Sequence, residues 1–183
     1  LEKKSPKSVL IIGGGYIGME MAEAFHSYNM EIHVVEMLPH VLSNFGSEIA
    51  EVVENQLKEY IKLHLNKYAS KITQDDSGKL IVGLKEKEGD DVSQEINVDM
   101  VLVAAGIVPE AGLAEKSGIK LGATDAIATD EYGQTNIPDI FAAGDCAEAR
   151  HVITGKPVYV PLALTANRNG RAVGSTIGGK ATK

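Results

Sequence analysis

The chain has 183 residues, 44% of them apolar and 23% charged, and carries a formal net charge of −7 at pH 7. A chain of this size buries a substantial core as one domain or two small ones, and its acidic balance without any basic block argues against a nucleic-acid surface. A single cysteine excludes a disulfide framework, and the five histidines form no ligand cluster, so we expect no metal site.

The N-terminal stretch mimics a secretory signal because Lys3, Lys4 and Lys7 precede an apolar run. That run is shorter than the roughly 7–15 apolar residues of a signal peptide. No apolar stretch approaches the ~18 residues of a membrane-spanning helix. We therefore expect a cytoplasmic protein with no membrane partner.

Residues 8–36 carry the strongest signal in the chain. The β-branched run 9–12 leads into GGGYIG at residues 13–18, which fits the pattern G-x-G-x-x-G. A helical segment follows to about Tyr28, and a second strand, Ile32 to Val35, ends on Glu36. The glycine pattern alone is weak, but its flanking strand and helix, and an acid about 20 residues on, indicate a dinucleotide-binding fold.

Each glycine of this turn has a physical role. Gly13 allows the tight turn out of the strand, Gly15 leaves no Cβ between the backbone and a pyrophosphate, and Gly18 lets the helix pack closely on the strand. The first-turn amides of the helix would face the phosphates. The predicted pyrophosphate-binding residues are Gly13, Gly14, Gly15, Tyr16, Ile17 and Gly18.

Glu36 is the predicted ribose ligand. Its carboxylate can accept both ribose hydroxyls and would repel a 2′-phosphate, and the next three residues supply no cation. The sequence therefore favours NADH over NADPH, with His40 as the nearby group able to weaken that preference. The alternative is that Glu36 is a solvated strand end, as surface acids often are.

The next segments predict helices and a meander. Met19 to Tyr28 predicts the first helix, and Ser47 to Ile61, with Ser47 as N-cap, predicts a second helix whose apolar stripe is core. Four short β-like pieces follow, and the middle ones, which alternate and are joined by hairpin-like turns, predict an antiparallel meander inserted into a parallel sheet. These pieces are Leu63 to Leu65, Ala69 to Thr73, Leu80 to Lys85 and Ser93 to Val98.

The following apolar run, Met100 to Ala105, predicts a strand buried on both faces, and it ends at Gly106. A strand end of this kind is where open α/β sheets bind ligands.

The last third of the chain is less regular. A helical turn is expected at Leu113 to Ser117 and strands at Ala126 to Thr129 and Ile140 to Ala143. Gly144 and Asp145 directly follow the second of these strands, at its carboxyl end. From the residues alone, Asp145 is equally a ligand for a polyol chain or the N-cap of a helix. A helix from Leu162 to Ile177 is expected after Pro161.

Three stretches together resemble one family. GGGYIGMEMAE, VLVAAGIVPE and T-x4-IFAAGD followed by VPLALTANRNGR are similar to the FAD-dependent pyridine nucleotide–disulfide oxidoreductases, and most of all to their coenzyme A-disulfide reductase, NADH oxidase and NADH peroxidase group. The resemblance covers essentially the whole chain. It implies an α/β fold: a Rossmann-like parallel sheet with helices and an inserted meander, in three layers, followed by an incomplete FAD-domain segment.

The resemblance also implies roles for single residues. Tyr16 matches an aromatic that covers the flavin and moves aside for nicotinamide, and Glu20 matches an acid that pairs with a lysine outside this chain. Gly106 matches the strand end beside the nicotinamide, and Asp145 matches the ligand of the flavin ribityl chain. Leu162 and Ala163 match a helix start whose dipole stabilises reduced flavin.

By the same resemblance, residues 1–108 form the NAD(H)-binding domain and residues 109–183 a returning part of the FAD domain. The family's redox cysteine is missing, and Cys146 is interpreted as packing. The parent enzyme would be a homodimer that passes electrons from NADH through FAD to a small-molecule disulfide, peroxide or oxygen, and the isolated chain is expected to be inactive.

Two other functions compete with this one. The first is a free-standing NADH-binding module without catalysis. The second, an ordinary single-domain dehydrogenase, leaves the segment Thr135 to Asp145 without a role. The resemblance also predicts that Ile140 to Ala143 and the last helix are poorly ordered, swapped or unusually packed, because the strands that normally complete their sheet are absent.

Overall fold

A computed structural model describes residues 5–180 of the chain. These residues form two compact units, the first ending at Gly106 and the second beginning at Ile107. The division lies two residues from the predicted boundary after residue 108. The assignment of the two parts to an NAD(H) domain and an FAD domain stays a prediction.

A four-stranded parallel sheet is the centre of the first unit. Its strands are β1 (Ser8–Ile12), β2 (Glu31–Glu36), β3 (Ile61–Leu65) and β7 (Met100–Val103), in the order β3-β2-β1-β7. Helix α1 (Tyr16–Ser27) connects β1 to β2, and helix α2 (Ser47–Leu57) connects β2 to β3. Helical crossovers are what parallel neighbours require.

The predicted meander is confirmed. Strands β4 (Tyr68–Gln74), β5 (Leu80–Lys85) and β6 (Gln94–Val98) pair antiparallel in that order. The β4–β5 turn is set by Asp75, whose Oδ1 accepts hydrogen bonds from the backbone amides of Ser77 and Lys79, both at 2.9 Å. Such side-chain-to-backbone bonds are the reason that Asp favours turns.

The parallel sheet is covered on both faces, which gives three layers. Because side chains alternate along a strand, β1 sends Val9 and Ile11 into a core cluster with Ala22 of α1. Leu10 points to the opposite face, into a cluster with Val82 and other residues of the meander. The predicted fold class is confirmed by this arrangement.

Helix boundaries differ from the prediction, and Ser47 is the first residue of α2 and not its N-cap, which is Gly46. Helix α1 begins at Tyr16, three residues before the predicted Met19, because Gly15 is its N-cap. Helix α2 ends at Leu57 instead of Ile61, because Ile61 starts β3 and pairs with Ile32. A short apolar run is compatible with a helix face or with a buried strand, and only its pairing with another strand distinguishes the two.

Two expectations about burial were wrong. The stripe of α2 is not all core: Ile49 and Val52 are 53% and 63% exposed. Helix α2 buries Ala50 and Glu54 instead. Strand β7 is not buried on both faces, because it is an edge of the four-stranded sheet and Val103 is 65% exposed.

The second unit has little regular structure. It contains α3 (Gly112–Lys116), the two-residue strands β8 (Ala149–Arg150) and β9 (Pro157–Val158), and α4 (Ala163–Ile177). The predicted last helix is therefore present. It buries none of its residues, and Leu164 is 77% exposed.

The strands predicted at Ala126 to Thr129 and Ile140 to Ala143 are wrong. Ile127 makes single bridges to Leu121 and Ala147, and Phe141 makes one to Gln134. Ile140 is 39% exposed. The apolar run 140–143 lacks a continuous partner strand among the described residues, and without such a partner an extended segment forms isolated bridges only.

Candidate functional site

The glycine turn between β1 and α1 tolerates no side chain at two positions. Gly13 has φ +107°, and a Cβ there would lie 2.3 Å from the carbonyl oxygen of Ala104. A Cβ on Gly18 would lie 2.0 Å from the carbonyl oxygen of Gly13. Both contacts are with backbone, which cannot move aside. The close approach expected of Gly18 is therefore present, with the turn itself as its partner.

Gly15 serves a different purpose. It is the extended N-cap of α1, and the position of a Cβ on it opens into empty space. The amides of Tyr16, Ile17 and Gly18 form the first turn of α1 and have no acceptor within the helix. Free amides, a helix dipole and an unobstructed backbone are the features that bind a phosphate anion.

Glu36 lies at the end of β2 with its carboxylate fixed against the turn. Its Oε2 accepts a hydrogen bond from the Gly14 amide at 2.7 Å, and its Oε1 accepts one from the Leu38 amide at 2.8 Å. Each carboxylate oxygen accepts two hydrogen bonds, so one acceptor position on each remains for a sugar hydroxyl. The structure thus brings Glu36 and the glycine turn together.

The end of β7 lies beside the same turn. The Ala104 amide donates to the carbonyl oxygen of Ile12 at 2.7 Å. Gly106 follows with φ +100° and open space where a Cβ would be. The carboxyl ends of β1, β2 and β7 thus meet at one edge of the sheet, where open α/β sheets bind ligands.

Two predicted residues lie on α1. Tyr16 is 45% exposed and packs edge-on against Phe45, with ring centroids 5.4 Å apart. Glu20 is exposed one turn further along the helix. Their roles next to a flavin stay predictions.

Glu54 is a buried acid that the sequence pattern does not reveal. Its Oε1 accepts hydrogen bonds from the Val41 amide at 3.1 Å and from His40 Nδ1 at 3.2 Å. His40, the nearby group expected to weaken the preference for NADH, is thus hydrogen-bonded to Glu54. The only sequence signal is the i, i+4 spacing of Ala50 and Glu54, which places both on one face of α2.

The predicted flavin residues lie in the second unit. Gly144 has φ +83°, and the exposed Asp145 stands in a turn, in which the Ala147 amide donates to the carbonyl oxygen of Gly144 at 3.1 Å. Since no helix follows Asp145, the N-cap interpretation of this residue is wrong. Leu162 is the N-cap of α4 and Ala163 its first residue.

Tyr159 lies near Asp145. Its hydroxyl oxygen is buried and receives no hydrogen bond from any residue in the described part of the chain. Burial raises the pKa of this hydroxyl, and the negative charge of Asp145 raises it further. A buried polar atom without a protein partner is a position at which a ligand or a water completes the hydrogen bonding.

A histidine pair lies on β2 and β3. The Nδ1 of His33 is 3.0 Å from the Nε2 of His64, and the rings are stacked. Burial lowers the pKa of His64 to about 4, with the positive charges of His33 and Lys62 adding to the effect. Within residues 5–180, no three His, Cys, Asp or Glu side chains are grouped closely enough to hold a metal ion.

Comparison with known proteins identifies the family. The family model described as pyridine nucleotide-disulphide oxidoreductase matches residues 1–170. The chain belongs to this family, as the glycine turn, the meander and the acid after β2 indicate. No helix in the described part of the chain has the length and apolar character required to cross a bilayer.

Three proteins with similar sequence or structure belong to this comparison. NAD(P)H coenzyme A polysulfide/persulfide reductase of Pyrococcus horikoshii is 39% identical over 98% of this chain and 39% of its own length. A NAD-dependent persulfide reductase from A. fulgidus superposes with a TM-score of 0.88 at 37% identity, over 98% of this chain and 32% of that one. The water-forming NADH oxidase of Lactobacillus brevis, solved with NADH bound, gives a TM-score of 0.82 at 28% identity, over 95% of this chain and 37% of its own. The chain thus spans about two fifths of the curated relative.

Proposed function

We propose that this chain is the NADH-binding part, with a flavin-contacting segment, of an FAD-dependent NAD(P)H oxidoreductase. The observation that carries the proposal is the hydrogen bond between the Gly14 amide and Glu36 Oε2 at 2.7 Å. That contact joins a pyrophosphate-binding turn to a ribose-binding acid, as a dinucleotide site requires.

The residues of the turn fit a dinucleotide. The open position at Gly15 leaves the backbone free to approach a pyrophosphate, and the first-turn amides of α1 can donate to it. The remaining acceptor positions of Glu36 can take the 2′- and 3′-hydroxyls of the adenosine ribose. A 2′-phosphate would meet a fixed carboxylate, so the site prefers NADH to NADPH.

The flavin residues fit part of an FAD site. Asp145 can accept hydrogen bonds from a ribityl chain, the amides that open α4 after Leu162 and Ala163 can face a flavin with negative charge, and Tyr159 supplies a buried hydroxyl in need of a partner. When bound, FAD supplies the electron acceptor for the hydride of NADH. Tyr16 would cover the nicotinamide position, Glu20 would pair with a cation from outside the chain, and Gly106 would leave room beside the nicotinamide.

The terminal acceptor belongs to the whole protein. The similar proteins include a persulfide reductase and an NADH oxidase. We therefore extend the proposal to a small-molecule disulfide such as coenzyme A disulfide, a peroxide or oxygen. A homodimeric parent, a cytoplasmic location and the lack of nucleic-acid or membrane partners stay predictions.

The first experiment measures NADH and NADPH affinity of the full 183-residue chain and of Glu36→Gln. The amide nitrogen of Gln donates instead of accepting, so one ribose contact is lost, and with it the negative charge. A hydrogen bond to a charged group contributes about 1.5–3 kcal/mol, so NADH affinity should fall roughly tenfold to a hundredfold. NADPH affinity should hold or rise, because the repulsion is removed.

The matched control is Glu48→Gln, which makes the same change at an exposed position in the first turn of α2. It should leave both affinities unchanged. Equal NADH and NADPH affinities in the natural chain would contradict the ribose role of Glu36. Absence of NADH binding would contradict the proposal as a whole.

A second candidate is an NADH-binding module without catalysis. It is favoured for the chain by itself by the absence of a strand at residues 140–143 and by the exposure of α4. The visible absorption spectrum of the purified chain separates the two. A flavin band, or one acquired on adding FAD, supports the flavoenzyme segment, whereas a colourless chain that binds NADH supports the module.

A further inference from the structure

Helix α2 buries an acid and exposes two branched apolar residues. Glu54 is 5% exposed, while Ile49 and Val52 on the same helix are more than half exposed. Removing a carboxylate from water costs several kcal/mol unless hydrogen bonds compensate. Hydrogen bonds to Glu54 must therefore compensate for the cost of its burial.

Those partners lie in the segment that connects β2 to α2, residues 37–46. Glu54 Oε1 accepts from both the Val41 amide and His40 Nδ1. Val41 is fully buried. One carboxylate oxygen thus holds two consecutive residues of a connection that begins directly after Glu36.

The same connection packs against the glycine turn. The Leu42 amide donates to the carbonyl oxygen of Gly14 at 2.9 Å. Val41 Cγ1 lies 2.9 Å from the position that a Cβ on Gly14 would occupy. Leu42 itself has φ +50°, a left-handed conformation that a leucine keeps only when its surroundings hold it.

The contacts form one continuous series. Glu54 holds Val41, Val41 and Leu42 hold Gly14, and the Gly14 amide donates to Glu36. Binding sites lose affinity when the residues that support their ligand-contacting groups are loose.

We propose that Glu54 is a positioning residue of the dinucleotide site, which keeps the Gly14 amide and Glu36 in register through the 37–46 connection. Its hydrogen bonds run to His40 and Val41 of the connection. This inference rests on the proposed function, because it assigns to Glu54 the alignment of the same two groups that would grip the pyrophosphate and the ribose.

The test compares Glu54→Leu, which removes the acceptor at similar volume, with Glu54→Gln, which keeps an acceptor oxygen, in the full chain. Glu51→Leu, exposed on the same helix, is the control. NADH affinity should fall about tenfold in Glu54→Leu and stay within about threefold in Glu54→Gln. The NADH-to-NADPH preference should fall as well in Glu54→Leu, because Glu36 is no longer held.

A second readout needs no nucleotide. In the 15N-1H spectrum of the chain alone, the Gly14 amide should shift and exchange faster with solvent in Glu54→Leu. It should stay unchanged in Glu54→Gln and in the control. If Glu54→Leu does not fold, Glu54→Asp, whose carboxylate is withdrawn by one methylene, should show the same changes at smaller size.

A folded Glu54→Leu variant with lowered stability, natural NADH preference and an unchanged Gly14 amide would overturn the inference, because Glu54 would then serve stability alone. The same unchanged values in Glu54→Asp would overturn it as well. If the natural chain fails to bind NADH, the proposed function fails, and the Gly14 amide still decides whether Glu54 aligns the turn.

Discussion

The two units of this chain bury very different side chains. The ten largest fully buried side chains, among them Leu10, Ile11 and Ile32, all lie between residues 9 and 98. The core cluster of the second unit is built from Ala111, Ala114 and Ile127. Burial of large apolar side chains is the main source of folding free energy. The first unit therefore has a core of its own, and the second has much less.

The difference also concerns function. In the first unit, the proposed site is built from backbone atoms and one carboxylate with close neighbours: Gly13 lies against the Ala104 backbone, and Gly14 against the buried Val41. In the second unit, Asp145 is exposed and α4 presents no buried residue. A rigid site needs such support, so we expect the glycine turn of the first unit to be better ordered than the segment around Asp145.

The largest effect is expected from Gly13→Ala. The new Cβ would clash with the Ala104 carbonyl at 2.3 Å in a left-handed conformation. The variant should lose more than about 3 kcal/mol of stability or fail to fold. Chemical denaturation followed by circular dichroism measures it.

Gly89→Ala is the control that separates the effect of the steric clash from the effect of the positive φ angle. Gly89 has φ +95° and open space where a Cβ would be. It should cost only about 1–2 kcal/mol. Equal costs at Gly13 and Gly89 would show that the turn is not tightly packed.

The next effect compares two isoleucine truncations. Ile32 is 1% exposed in the first core, and Ile127 is 8% exposed in the second, where the other buried members are alanines. Ile32→Ala should lower the free energy of unfolding by about 3–4 kcal/mol. Ile127→Ala should lower it clearly less, because fewer large buried side chains surround Ile127. Residue-resolved hydrogen exchange reports each unit separately, and a larger loss at Ile127 would reverse the comparison.

A pH effect follows from His64 in the first unit. Its folded pKa of about 4 lies below the ordinary 6.5. Between these values the unfolded chain binds a proton that the folded chain does not, so stability should fall as the pH drops from 6.5 to 4 and level off below. A single group contributes at most about 1.4 kcal/mol per pH unit, and partial exposure of the ring to water reduces its contribution further.

His64→Gln should flatten this slope, measured by urea denaturation at several pH values. His151→Gln, at an exposed position of the second unit, should leave it unchanged. A slope that is the same in His64→Gln and in the natural chain would assign the pH effect to other groups.

The smallest effect is expected on α4. Leu164 is 77% exposed, and glutamine is almost as good a helix former. Leu164→Gln should therefore change the stability of the chain by less than about 0.5 kcal/mol, measured by thermal unfolding. A loss above about 2 kcal/mol would show that α4 is packed, and that the contrast between the units is smaller than the structure indicates.

The sequence by itself determined the local parts of this protein: the glycine turn, the acid after β2, the meander and the last helix. These depend on neighbours along the chain, through backbone freedom at glycine, alternation in strands and periodicity in helices. The family resemblance rests on the same local motifs.

Only the tertiary structure decided which apolar runs became strands and which acid was buried. Ile61, predicted as the end of the second helix, pairs with Ile32 in a strand, and residues 140–143 form no strand. Glu54, outside the predicted apolar stripe of α2, is buried, and Val41 and His40 hydrogen-bond to its carboxylate. Pairing and burial are contacts between distant residues, and a pattern read along one chain carries no record of which distant residues meet.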